Sequence, residues 1–280
     1  MSDPVLAAPS GACCLSGFPH QGTPQGTFTS VAGVKTYIAR PPTPAHWQQR
    51  RVILYFPDVW GIDIFLNGQL LCDYFASQGF LVLAMDYFRG DPIMLHRIEP
   101  GFDFEGWKVK HKAFAAGAVP EWIDAVKTQF GTPETKYAAV GYCFGAPYVM
   151  DALSETSSAV CVGAFGHPAF LNESHFTNCA RAASLPVLRG DGPHVPRHRA
   201  EELLGAGACT FHVQLFSGVG HGFCLRGDMT DPYRRFVKEE SASGIVRWFT
   251  KFIIRLLIKL RRSLVRLLIK LRRSLGGPFL

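Results

Sequence analysis

Two hundred and eighty residues, 48% apolar and 18% charged, are enough for one sizeable core and exclude wholesale disorder. The net charge of +7 is local, because residues 241–280 hold ten Lys or Arg and no acid, which leaves residues 1–240 at −3. A mildly acidic body excludes nucleic acid as a partner of the main domain.

Residues 1–26 read as an irregular lead-in rich in Gly, Pro and Thr. From there to residue 252, apolar runs alternate with amphipathic stretches. Arg51–Pro57 and Phe80–Met85 read as buried strands, with helix Leu66–Gln78 between them and Gly79 as its stop. A long helix follows over Lys108–Phe130, with Pro120 as a point of interruption. Then come strand Tyr137–Val140, helix Phe144–Leu153, strands Ala159–Phe165 and Pro186–Arg189, helix Arg197–Leu204 and strand Phe211–Phe216. A last helix starts near Pro232 or Ser243. Strands alternating with helices give an α/β fold, a mostly parallel sheet covered on both faces. In such sheets the chemistry collects at the carboxyl ends of the strands.

Residues 253–280 form a basic amphipathic tail. RLLIKLRRSL occurs at Arg255–Leu264 and again at Arg266–Leu275, a period of 11 that keeps the same face along one continuous helix. Lys251, Arg255, Lys259, Arg262, Arg266, Lys270 and Arg273 form one cationic stripe. The segment reads either as a duplication with no selected role or as an interfacial helix on an anionic membrane surface through residues 255–275.

The amino end has no Lys or Arg before Lys35, so it lacks the start of a signal peptide and the Arg of a transit peptide. The default compartment is cytoplasmic. The apolar stretches Tyr137–Met150 and Thr156–Asn172 are broken by Gly, Pro or His, and neither reads as a membrane span. Eight cysteines without a CxxC pair read as free thiols.

The sharpest motif is Gly141-Tyr142-Cys143-Phe144-Gly145, between a strand and a helix. It has the form of a nucleophile elbow, G-x-S-x-G, with Cys in place of Ser. The helix amino end then favours thiolate and oxyanion alike, and the backbone N–H of Phe144 is one oxyanion donor. The plainer alternative is a small buried Cys in a glycine-tight turn. His221, in the loop SGVGHGF directly after the last strand, is the candidate base, or else a solvated turn histidine. Asp191 is the carboxylate after Pro186–Arg189 that could fix the tautomer of His221, unless it only serves an Asp-Gly turn.

His194 and His198 stand four apart, but Pro196 lies between them and no metal site is expected. His167 and His175 read as lid or surface histidines. Trp60, Trp107 and Phe223 read as pocket wall or plain core. Cys13-Cys14 reads as a vicinal redox pair or, more simply, as part of a floppy amino end.

The chain resembles the dienelactone hydrolases of the α/β-hydrolase superfamily, particularly their fungal members. The resemblance rests on YFPDVWG (Tyr55–Gly61), MDYFRGDP (Met85–Pro92), VGYCFGAPYV (Val140–Val149), HPAF (His167–Phe170) and FSGVGHGFCLRGD (Phe216–Asp228). It implies an α/β-hydrolase fold, a Cys143–His221–Asp191 triad, and hydrolysis of a small lactone or ester without metal or organic cofactor. It places Asp58 against the resting thiol, makes the amide of Val59 the second oxyanion donor, and brings Arg226 near a place that holds a substrate carboxylate. A role in fungal secondary metabolism is implied in the same way. The stretch carrying Asp191 is shorter than in fungal relatives. Either Asp191 serves from a shortened loop, or the chain is an impaired relic that acts as a binding module.

Overall fold

The computed structural model describes residues 3–42, 50–157, 159–180, 182–189, 197–206 and 209–274. Its strands are β1 (Val5–Ala7), β2 (Thr27–Val31), β3 (Val34–Ala39), β4 (Arg51–Phe56), β5 (Leu81–Met85), β6 (Lys136–Tyr142), β7 (Val162–Gly166), β8 (Leu171–Asn172), β9 (Ala182–Arg189) and β10 (Phe211–Ser217). Among the described residues, eight of these form one sheet in the order β10-β9-β7-β6-β4-β5-β3-β2. The run from β10 to β5 is parallel, and β3 and β2 complete an antiparallel edge.

The parallel strands were legible as unbroken apolar runs because both their faces are covered. Every residue of β4, β5 and β7 is buried. Successive side chains alternate between two cores. Val52, Leu54 and Phe56 pack with Trp122 and Val126 of α2 (Phe104–Phe130) and Val149 of α3 (Ala146–Leu153). Ile53 and Tyr55 point the other way, into a cluster with Phe75 of α1 (Leu66–Ser77) and Ile245 and Phe249 of α7 (Pro232–Ser274). Two short helices, α4 (Glu173–Thr177) and α6 (Phe223–Arg226), and the longer α5 (Arg197–Ala206) complete the set.

Three elements differ from expectation. Helix α2 starts at Phe104, where Asp103 accepts from the Gly106 amide at 2.9 Å, and it runs through Pro120 without a break. Pro120 and Ala116, whose carbonyl the proline leaves without its helical donor, both lie on the exposed side of α2, where solvent can reach that carbonyl. Helix α7 is one continuous element from Pro232 to Ser274, so the sheet-packing helix and most of the repeated tail share one axis. Among the described residues no helix is long and apolar enough to cross a membrane.

The third difference is the amino end, which is not floppy. Strand β1 pairs antiparallel with β8, and Ala7, Ser10 and Cys14 are all buried. Buried donors take the carbonyls of this segment. Lys108 Nζ donates to Ser10 O at 2.9 Å, Trp60 Nε1 to Cys14 O at 2.7 Å, and Arg226 Nη1 to the same oxygen at 2.5 Å. Asn67 Nδ2 donates to Phe18 O at 2.9 Å, while its Oδ1 accepts from the His20 amide at 2.7 Å. Residues 8–18 thus form a strap fixed across the carboxyl end of the sheet.

Candidate active site

Strand β6 delivers the chain into a tight turn at Cys143, whose φ is +49°. A non-glycine residue in that region is strained, and a nucleophile elbow requires such a turn. The flanking glycines have a steric cause. A Cβ on Gly141 would stand 2.5 Å from Gly145 O, and one on Gly145 would stand 2.2 Å from Phe56 O. Only glycine lets the elbow lie this close to β4 and to itself.

Cys143 has no solvent exposure. Its Sγ lies 3.3 Å from Ser10 Oγ and 3.7 Å from Cys14 Sγ, so the strap supplies both hydrogen-bonding neighbours of the resting thiol. Burial, with the Cys14 contact second, pushes the Cys143 thiol well above its usual range. Burial therefore favours the neutral thiol at rest.

His221 follows β10, between Gly218 and Gly222, which take positive φ of 69° and 95°. It is buried at 8% exposure, and neither ring nitrogen has a hydrogen-bond partner among the described residues. Its ligand atom and the sulfurs of Cys14 and Cys143 all lie within 4.8 Å of one another. The structure therefore brings Cys143 and His221 together, with Cys14 as a third member of the group. His167, expected in a lid or on the surface, is fully buried and meets the His221 ring edge-to-face at 5.0 Å. Burial, and then the neighbouring His221, drive its pKa well below the usual value and keep it neutral. His175 is half-buried and caps α4, its Nδ1 accepting from the Asn172 amide at 2.9 Å.

Asp58 and Arg226 form a buried ion pair, with Nε and Oδ2 3.2 Å apart and side-chain exposures of 0% and 1%. Asp58 Oδ1 also accepts from the Trp60 amide at 3.0 Å. Burial raises the Asp58 pKa, and the Arg226 charge opposes that rise. Asp58 acts on Cys143 through its charge, while Ser10 and Cys14 are the hydrogen-bonding neighbours of the thiol. Trp60 stacks beneath the Arg226 guanidinium at 5.3 Å. Val59 and Phe144 are buried at the ends of β4 and β6. Asp191 and His194 lie outside the described residues, as does Leu275 of the repeat; His198 is exposed on α5.

Sequence reasoning missed Ser10 and Lys108 as site residues and misjudged Cys14. The pairing of the two thiols spans 129 positions and leaves no local pattern. The adjacent cysteines were the only signal available.

The model of the dienelactone hydrolase family matches residues 34–253. Dienlactone hydrolase 1 of Gibberella moniliformis is 35% identical over 263 residues, covering 91% of this chain and 98% of the relative. Hydrolase tropI of Talaromyces stipitatus is 31% identical, covering 89% and 99%. A solved dienelactone hydrolase-like promiscuous phosphotriesterase from metagenomic libraries superposes with a TM-score of 0.55 at 15% identity, covering 81% of this chain and 97% of that one. An esterase from Thermogutta terrifontis superposes at 0.54 with 16% identity, covering 80% and 93%. With an elbow cysteine at the carboxyl end of a parallel sheet and a buried histidine beside it, the chain belongs to the dienelactone hydrolase family and is a hydrolase of the α/β-hydrolase fold.

Proposed function

We propose that the protein hydrolyses a small lactone or ester through a thioester acyl-enzyme on Cys143. The observation that carries this reading is Cys143 at φ +49° on the elbow, within 4.8 Å of a buried His221 whose ring has no hydrogen-bond partner among the described residues. The substrate carbonyl reaches Sγ through the space that Ser10 and Cys14 hold at rest. Cys143 gives its proton to His221 and its sulfur bonds to the carbonyl carbon, with the amides of Phe144 and Val59 holding the oxyanion. The leaving oxygen takes the proton from His221 as the ring opens or the alcohol departs. Water then gives a proton to His221, adds to the thioester carbon, and releases the acid and the thiol. Asp191 is the residue proposed to orient His221.

Thiolate is a good leaving group as well as a good nucleophile, so enol lactones, activated esters and thioesters suit this centre better than amides. Arg226, whose Nη2 is buried without a partner among the described residues, is the group proposed to hold a substrate carboxylate. The test is burst kinetics with p-nitrophenyl acetate beside Cys143→Ala. A burst of one equivalent that the variant lacks supports the reading. Equal turnover in both proteins overturns it, and no turnover in either favours the binding-module alternative.

A further inference from the structure

We propose that Cys14, Cys143 and His221 form a binding site for a thiophilic divalent cation of the zinc class, which blocks the nucleophile when bound. The proposal goes beyond hydrolysis and uses a residue that hydrolysis does not need, Cys14.

Two thiolates on a tetrahedral zinc, each with a Zn–S bond of about 2.3 Å, stand about 3.8 Å apart. The sulfurs of Cys14 and Cys143 are 3.7 Å apart without any movement. The third corner is His221, within 4.8 Å of both sulfurs, so a small swing of the imidazole completes the set. A water can fill the fourth corner, with Ser10 Oγ 3.3 Å from Cys143 Sγ.

His221 is more than nine-tenths buried and neither ring nitrogen has a partner among the described residues, a costly state for a polar group. With Asp191 proposed on one ring nitrogen, the other is the one left for a cation at the centre of the three groups.

Charge points the same way. Two thiolates with a divalent cation make a neutral centre. The adjoining Asp58–Arg226 pair adds no net charge. Two sulfurs and an imidazole select zinc or cadmium over magnesium or calcium. Cys14 is also held in place, because Trp60 and Arg226 both donate to its carbonyl oxygen. A ligand positioned by its surroundings costs little to order.

The test titrates the full chain with Co²⁺ without oxygen and reads the thiolate-to-cobalt absorption, with Zn²⁺ as competitor. One equivalent should give a tetrahedral spectrum that Zn²⁺ abolishes. Cys14→Ala should weaken binding by more than the roughly 100-fold that loss of an outer partner can cost, and Cys143→Ala should do the same. Cys14→Ser, with its thermal melt, controls for folding. Because Cys179 and Cys209 also adjoin, with sulfurs 3.4 Å apart, Cys179→Ala is run in parallel. Absence of the spectrum in the unmodified chain overturns the proposal. So does a spectrum kept in Cys14→Ala or lost in Cys179→Ala. The readout needs no turnover, so a failed hydrolase assay and a failed metal site remain separate results.

Discussion

The indole N–H of Trp60 donates to the carbonyl of Cys14, so the loop after β4 holds down the strap that covers Cys143. A buried hydrogen bond of this kind contributes about 1 kcal/mol, or a factor of about 5. Trp60→Phe should therefore let iodoacetamide reach Cys143 roughly 5-fold faster, read by mass spectrometry of the labelled peptide. An unchanged rate would mean that Arg226 and Lys108 hold the strap alone.

Resting Cys143 is a neutral thiol because it is buried. Its alkylation rate in the free protein should keep rising above pH 9 rather than level off near pH 7. A plateau near neutrality would show an ion pair with His221 already formed at rest.

Removing Asp58 strands the buried Arg226 charge. Asp58→Ala should cost about 3–5 kcal/mol in urea unfolding, and Asp58→Ala with Arg226→Met should recover much of it. A cost below about 1 kcal/mol in the single variant would mean that Arg226 finds water or another partner.

His20 joins the far end of the strap to α7. Its Nε2 donates to Gly227 O at 2.9 Å, and its Nδ1 accepts from Lys238 Nζ at 2.9 Å. Burial, followed by the Lys238 charge, lowers its pKa to about 4. The unfolded chain then binds a proton first as pH falls, so this contribution is complete above pH 6.5 and drains away toward pH 4. The slope should be at most about 1.4 kcal/mol per pH unit, less with solvent screening at this half-buried site. His20→Gln should flatten the loss of stability between pH 6.5 and 4. The same slope in both proteins would assign the acid lability elsewhere.

The tail gives a separate expectation. Residues 255–275 repeat a cationic pattern with a period of 11, and the interfacial-helix reading of that pattern is open to a direct test. Liposome flotation should require anionic lipid and should be lost on deletion of residues 255–280. Flotation with neutral lipid alone would remove the stripe from the explanation.

The inner strands and their helices were readable because burial on both faces leaves an unmistakable apolar run, as in RVILYF. The elbow was readable because its steric demands fall within five consecutive residues. The hairpin of β2 and β3 was not, since β2 is exposed at four of its five positions and shows no alternation. The strap was invisible for a different reason. Its strand has three residues, its partner has two, and its hold on the protein consists of backbone carbonyls taken by Lys108, Trp60, Arg226 and Asn67. Backbone acceptors carry no residue signature. For the same reason Cys14 looked like part of a loose end, and only its burial against Cys143 shows otherwise.

Both ends of the strap are tied, at β8 through β1 and at Asn67 through Phe18 and His20. A segment tied at both ends can bow outward but cannot swing clear like a hinged flap. Turnover of the proposed small lactones or esters should therefore fall as substrate bulk grows, because the strap can give only as far as its two tied ends allow.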